Sequence, residues 1–181
     1  MAQFALYHPN KSSKGFAISF KSVLEDKAIY IEVIRQSGWN DQEKIGSFKG
    51  SRENPEGRAN VKLSNIEVGA FLDCLDKSRP FSTFHDHDKK PKKINFNVWE
   101  GEDKVARGYS LGINITDKED SSYKNSFYFG FNFAEGRVLR EFLITSLQEQ
   151  FRVPTPRYAK SEIEKEVTPV VQVIESEDAP F

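Results

Sequence analysis

Four consecutive residues, His85-Asp-His-Asp88, bring imidazoles and carboxylates together, and Lys89-Lys-Pro-Lys-Lys93 behind them is the densest basic cluster of the chain. The first group could ligate a divalent cation, but zinc needs three or four convergent ligands. The only other histidine is His8, and the single cysteine, Cys74, falls in an apolar helical stretch. A local turn is therefore the expected role, with no metal and no cofactor. Asp86, Asp88 and Lys89 could serve a nuclease, whose mark would be divalent-dependent cleavage lost in Asp86→Ala. No glycine-rich phosphate loop, Ser or Cys nucleophile motif or paired catalytic carboxylates accompany them, so an enzyme is not expected. Lys89, Lys90, Lys92 and Lys93 suit another chemistry, since ammonium groups clamp phosphates and release counterions. The same lysines would also keep a loop soluble and guard a sheet edge.

Lys14, Lys21, Lys49, Lys62, Arg107 and Lys124 are further cations, dispersed along the chain. Tyr30, Trp39, Trp99 and Tyr128 are rings on which bases could stack. Which of these rings are available depends on the strands that carry them.

Gly15–Val23 alternates with period two, and Ala28–Arg35 is β-branched and aromatic. Lys44–Lys49 and Ala59–Leu63 follow as strands across the turn-rich Gly50–Gly57. Ser64 then caps a helix with Glu67 at the capping-box position and Val68, Phe71, Leu72 and Leu75 on one face. The pattern recurs with strands Phe81–His85, Lys93–Glu100, Gly108–Thr116 and Ser126–Phe133. A second helix, Ala134–Gln150, presents Val138, Leu139, Phe142, Leu143 and Leu147. The expected fold is α+β, a tandem of ββββα repeats giving two antiparallel four-stranded sheets with two helices. Repeat one covers about 15–77 and repeat two about 81–150, within one unit of 1–153; 154–181 reads as linker and tail, since Pro154 and Pro156 stop the helix.

Alternation assigns faces. Phe127, Phe129, Phe131 and Phe133 are expected to be buried, with Tyr128, Gly130 and Asn132 opposite them. Ile94, Phe96 and Val98 point inward, leaving Asn95, Asn97 and Trp99 outward with Ser110, Gly112 and Asn114. Tyr109 keeps step with Leu111 and Ile113 and is expected inside. The open face is thus short-chained, polar and sparsely aromatic, a surface that stacks and hydrogen-bonds single-stranded bases without reading a sequence.

No apolar run of the 181 residues approaches a membrane span, and the start lacks a basic, apolar leader, so a cytoplasmic protein is expected. Residues 161–181 hold six acids against Lys165, a net of −5 that leaves +4 on residues 1–160 of the total of −1. A mildly basic body with an acidic tail suits a polyanion binder that also holds partners. The last residues, Glu175-Ser-Glu-Asp-Ala-Pro-Phe181, resemble the terminal peptide of bacterial and phage single-stranded-DNA-binding proteins. That resemblance implies recruitment of replication or recombination enzymes through Glu177, Asp178, Pro180 and Phe181, the ring entering an apolar pocket and the acids meeting basic groups.

Leu63-Ser-Asn-Ile-Glu-Val-Gly69 resembles the Leu-Ser-x-x-Glu-Ile/Val-Gly helix opening of the Whirly family. Phe84-His-Asp-x-x-Lys89 resembles its Phe-His-Asp segment, and Trp39-Asn-Asp-x-x-Lys44 more loosely its aromatic-Asp-Trp-x-x-Lys turn. Lys14-Gly-Phe-Ala-Ile-Ser keeps only the first Lys-Gly of the family's Lys-Gly-Lys-Ala-Ala-Leu motif, which is linked to large oligomers. The resemblance, over roughly 15–150, implies a single-stranded-DNA-binding protein of a phage or bacterial relative, acting as a homo-oligomer, dimer or tetramer. The alternative is a transcription regulator or coactivator on duplex or melted promoter DNA, for which no helix-turn-helix reader is visible.

Overall fold

The computed structural model describes residues 2–86 and 89–153. His87 and Asp88 of the candidate metal turn, and Glu177, Asp178, Pro180 and Phe181 of the tail, lie outside the described residues. The chain runs β1 (Ala2–His8), β2 (Phe16–Val23), β3 (Ala28–Arg35), β4 (Gly38–Asn40), β5 (Ile45–Ser47), α1 (Lys49–Glu53), a 3-10 turn (Pro55–Gly57), β6 (Arg58–Ser64) and α2 (Asn65–Lys77). It continues β7 (Phe81–His85), β8 (Lys92–Glu100), β9 (Ala106–Thr116), β10 (Lys124–Phe131) and α3 (Phe133–Arg152). Two four-stranded antiparallel sheets, β1-β2-β3-β6 and β10-β9-β8-β7, each lead into a long helix. This is the expected α+β arrangement of tandem units.

Both long helices start the same way. Ser64 Oγ accepts from the Glu67 amide while Glu67 Oε2 accepts from the Ser64 amide, a reciprocal capping box. Asn132 and Glu135 repeat the device at α3, at 2.9 Å in both directions. The inner faces of both sheets and both long helices share one core. Phe71 of α2 stacks on Phe96 of β8 at 4.4 Å, and Phe20 of β2 meets Phe131 of β10 at 6.3 Å. Phe20, Phe71, Phe96, Phe127 and Phe131 are all fully buried. Each contributes roughly 1.5–3 kcal/mol by leaving water. Leu75 and Tyr109 meet between the helices, the Tyr109 hydroxyl donating to the Leu75 carbonyl at 3.0 Å.

Three strand-level expectations are corrected. Lys44–Lys49 is not the third strand of the first sheet; β5 instead pairs with β4 in a separate two-stranded hairpin. Lys44 sits at φ 57°, outside extended backbone, which confines pairing to three residues. The fourth place is taken by β1, whose Phe4 and Leu6 alternate inward against Phe20 and Ile18 of β2. Phe133 belongs to α3, not β10, and its ring is exposed, because the Asn132 cap turns the chain into the helix first. Val138 likewise lies on the solvent side of α3, while Leu139 and Leu143 are buried. No described helix is long and apolar enough to cross a membrane.

Candidate nucleic-acid interface

The second sheet carries its open face in rows set by the register. Ser82, Asn95, Gly112 and Tyr128 lie side by side across β7, β8, β9 and β10. Phe84, Lys93, Asn114 and Ser126 form the next row, and Asn97, Ser110 and Gly130 the row on the other side. Tyr128 is 59% exposed and lies over Gly112, where a Cβ would come 3.3 Å from the ring. Trp99, one further step along β8, is 49% exposed. The floor between them is small and polar. Ser82 Oγ donates to Asn95 Oδ1 at 2.9 Å, and Ser126 Oγ to Asn114 Oδ1 at 2.8 Å. With both carbonyl oxygens engaged sideways, the amide N–H groups of Asn95 and Asn114 are the donors left for a ligand.

At one corner the sheet depends on Gly108. Its φ of 153° and the carbonyl oxygen of Phe131, 1.9 Å from any added Cβ, leave room for no side chain. Tyr109 next to it points inward as expected, stacked on Phe96 at 5.9 Å.

The first sheet has an open face of the same construction. Gln3, Lys21, Tyr30 and Lys62 form one row across β1, β2, β3 and β6. The Lys62 ammonium lies 5.6 Å from the centre of the Tyr30 ring, whose hydroxyl donates to Asp26. Thus Lys21, Tyr30 and Lys62, far apart in sequence, stand together. Tyr7 at the far margin of the sheet is 58% exposed.

The basic cluster is divided by the fold. Lys89 pairs with Glu119 at 2.9 Å. Lys90 reaches Glu56 at 3.3 Å and covers the Tyr123 ring at 4.1 Å. Hydrogen bonding to the Tyr123 side chain first, and to Glu56 next, raises its pKa above the usual lysine value. Lys93 stands exposed on the open face of β8, and Lys92, its neighbour, belongs to the opposite side of the strand. Lys14 is exposed in the β1–β2 loop, and Lys49 is exposed at the start of α1. Arg107 pairs with Asp103 at 3.0 Å, and Lys124 is exposed opposite Thr116. Trp39 sits in the β4–β5 hairpin, its indole N–H donating to Asp41 at 3.1 Å.

Phe84, 59% exposed, is a ring the sequence reading left out of the stacking set. Its signal was present, since Ser82 and Phe84 share a face by alternation; the abundance of core phenylalanines hid it.

The candidate metal turn begins at His85, whose ring is tied back to α2. His85 Nε2 lies 2.7 Å from Glu67 Oε1, which also accepts from Thr83 Oγ1 at 3.0 Å. Burial pushes the Glu67 carboxyl up, but the His85, Ser64 and Thr83 donors outweigh it and hold the group below the usual carboxylate range. Asp86 pairs with Lys118 at 2.7 Å. Among the described residues no three His, Cys, Asp or Glu side chains gather as ligands. Burial pushes the Cys74 thiol up to about 11, which keeps it protonated and inert. The Leu-Ser-x-x-Glu and Phe-His-Asp segments therefore meet in space, Glu67 tying the cap of α2 to β7.

Solved structures with this architecture are similar along most of their length. WHY3 from Arabidopsis thaliana superposes with a TM-score of 0.60 at 14% identity, covering 93% of this chain and 98% of that one. WHY1 from Arabidopsis thaliana gives 0.55 at 13%, covering 100% and 99%. MRP1/MRP2 of Trypanosoma bruciei gives 0.55 at 15%, covering 83% and 86%. At these identities the likeness shows the fold, and it is Whirly-like. No protein-family model and no curated protein matches the sequence.

Proposed function

We propose that this chain binds single-stranded DNA with little sequence discrimination and serves replication or recombination. The observation that carries the reading is the open face of β7–β10, where Trp99 and Tyr128 stand exposed beside a floor of Asn, Ser and Gly. Rings presented this way stack on unpaired bases, which a duplex keeps covered. Lys93 on this face, and Lys21 and Lys62 on the open face of the first sheet, supply phosphate contacts, with Lys14, Lys49, Lys92, Arg107 and Lys124 at the margins. The Whirly-like fold supports the reading.

Titrating the full chain against matched single-stranded and duplex oligonucleotides at two salt concentrations tests it. Binding should favour the single strand and weaken as salt rises, because each phosphate contact releases counterions. Equal or tighter duplex binding would overturn the reading and favour a promoter-binding regulator. A homo-oligomer, dimer or tetramer, belongs to the same proposal, supported by Phe133, Val138 and Phe151 exposed along α3. Light scattering that returns a monomer at micromolar concentration removes that part.

The acidic segment Glu175–Phe181 is proposed to recruit replication or recombination enzymes. Phe181→Ala keeps every side-chain charge and removes only the ring. It should abolish pull-down of such an enzyme while DNA affinity holds; unchanged pull-down leaves the segment a charge device alone.

A further inference from the structure

A cleft of about 600 Å³ lies between the edge strands of the two sheets. Edge strand β6 of the first sheet lends it Asn60 and Lys62, edge strand β7 of the second lends it Phe84, and Lys92 at the start of β8 also lines it. Lys62 ends the row that begins with Gln3, Lys21 and Tyr30, and Phe84 begins the row that continues with Lys93, Asn114 and Ser126. The two rows thus run up to the cleft from opposite sides. Each crosses three interstrand spacings, ~14 Å.

We propose that the cleft is a crossing point for one nucleic-acid strand, which lies along both rows and stacks a base on Phe84 as it passes between the sheets. The proposal rests on the single-strand reading above. The chemistry at the cleft favours a polyanion with exposed bases over an apolar or cationic occupant. Lys62 has no ion-pair partner among the described residues, its ammonium resting over the Tyr30 ring at 5.6 Å. The acids nearby are already engaged: Asp26 accepts from the Tyr30 hydroxyl, and Glu67 is held by Ser64, Thr83 and His85. Phe84 offers a bare ring face at a margin where β7 has no further strand to cover it. Asn60, exposed on β6, adds an amide that can bond a base edge without choosing among bases.

A strand that serves both sheets binds its second half intramolecularly, at an effective concentration set by the short crossing. If the geometry forbids one strand from crossing, lengthening the oligomer past one row gains nothing. Oligothymidylates of increasing length, titrated against the full chain with the stoichiometry measured, separate the two arrangements. The expected result is that affinity climbs at least tenfold when the oligomer grows from covering one row to covering both, with one long strand bound per chain. Phe84→Ala should weaken the long oligomer about tenfold, and Phe84→Trp should restore it. Because Phe84 is exposed, neither change should move the unfolding transition. Equal affinity for short and long oligomers, or Phe84→Ala binding the long one as the unaltered chain does, overturns the crossing and leaves the single-strand reading standing. An unaltered chain that binds no oligothymidylate of any length overturns the single-strand reading itself.

Discussion

Replacing Trp99 and Tyr128 together by alanine lowers the affinity for single-stranded DNA by roughly 2–6 kcal/mol, two stacked bases at ~1–3 kcal/mol each. The sum is expected to hold because the rings do not touch. Trp99 lies opposite Gly108 and Tyr128 opposite Gly112, four residues further along β9 and on another strand. That is ~13 Å along the strand alone, beyond the range at which substitutions couple. Fluorescence titration of each single variant and the double variant reads the effect. The slope of affinity against salt should stay the same, because the lysines that meet phosphates are untouched. Both side chains are about half exposed, so the unfolding curves should overlay. If the double variant binds like the unaltered chain, the strand is held by its phosphates alone and the open face is not a stacking platform. If Trp99→Ala instead lowers stability by more than about 1 kcal/mol, its ring packs on the protein and not on a base.

The face that carries these rings was legible because alternation is local. Ile94 and Phe96 inward, Asn95 and Trp99 outward, follows from the pleat alone, as does the inward Tyr109. The Ser64–Glu67 capping box was equally readable, since its two residues stand three positions apart. What was not legible depended on pairing across distance. β1 is a weakly patterned strand, and only β2 beside it makes it the first sheet's edge. Lys89 and Lys90 sit in one run of the sequence with Lys92 and Lys93, but Glu119 and Glu56, on other loops, claim the first two. Conversely Lys21, Tyr30 and Lys62 looked scattered and are cross-strand neighbours. The Whirly-like segments around Glu67 and Phe84 could be recognised separately. Nothing in the sequence said that His85 and Thr83 would close on the Glu67 carboxylate.

The junction between the units was invisible for the same reason, and it supplies the second large effect. Arg35 closes β3, and its guanidinium donates to Asn125 Oδ1 at 2.6 Å, to the Ser126 carbonyl at 2.7 Å and to the Glu56 carbonyl at 3.2 Å. It also lies 4.4 Å from the centre of the Phe127 ring. Asn125, itself buried, donates back to the Glu56 carbonyl and carboxylate, both at 3.1 Å. Arg35→Ala leaves the Asn125 and Ser126 oxygens without this donor, in a part-buried site. The loss is expected to be ~3 kcal/mol of unfolding free energy. For a chain of this size that lowers Tm by roughly 6–12 °C. Arg35→Lys keeps the charge but not the planar fork, so it should recover little. The Tyr123 hydroxyl, helped by Lys90 and Asn125, holds the Glu56 carboxyl below the usual carboxylate range. A carboxyl lowered in the folded state stabilises above the ordinary carboxylate value and loses that contribution as pH falls through its folded value. The junction should therefore loosen on acidification, and less so in a Glu56→Gln chain. Because Arg35 fixes one sheet against the other, Arg35→Ala at a temperature where it stays folded should weaken an oligomer spanning both rows more than one covering a single row. A denaturation midpoint equal to that of the unaltered chain would mean that water replaces the guanidinium without loss and that the phenylalanine core alone joins the sheets.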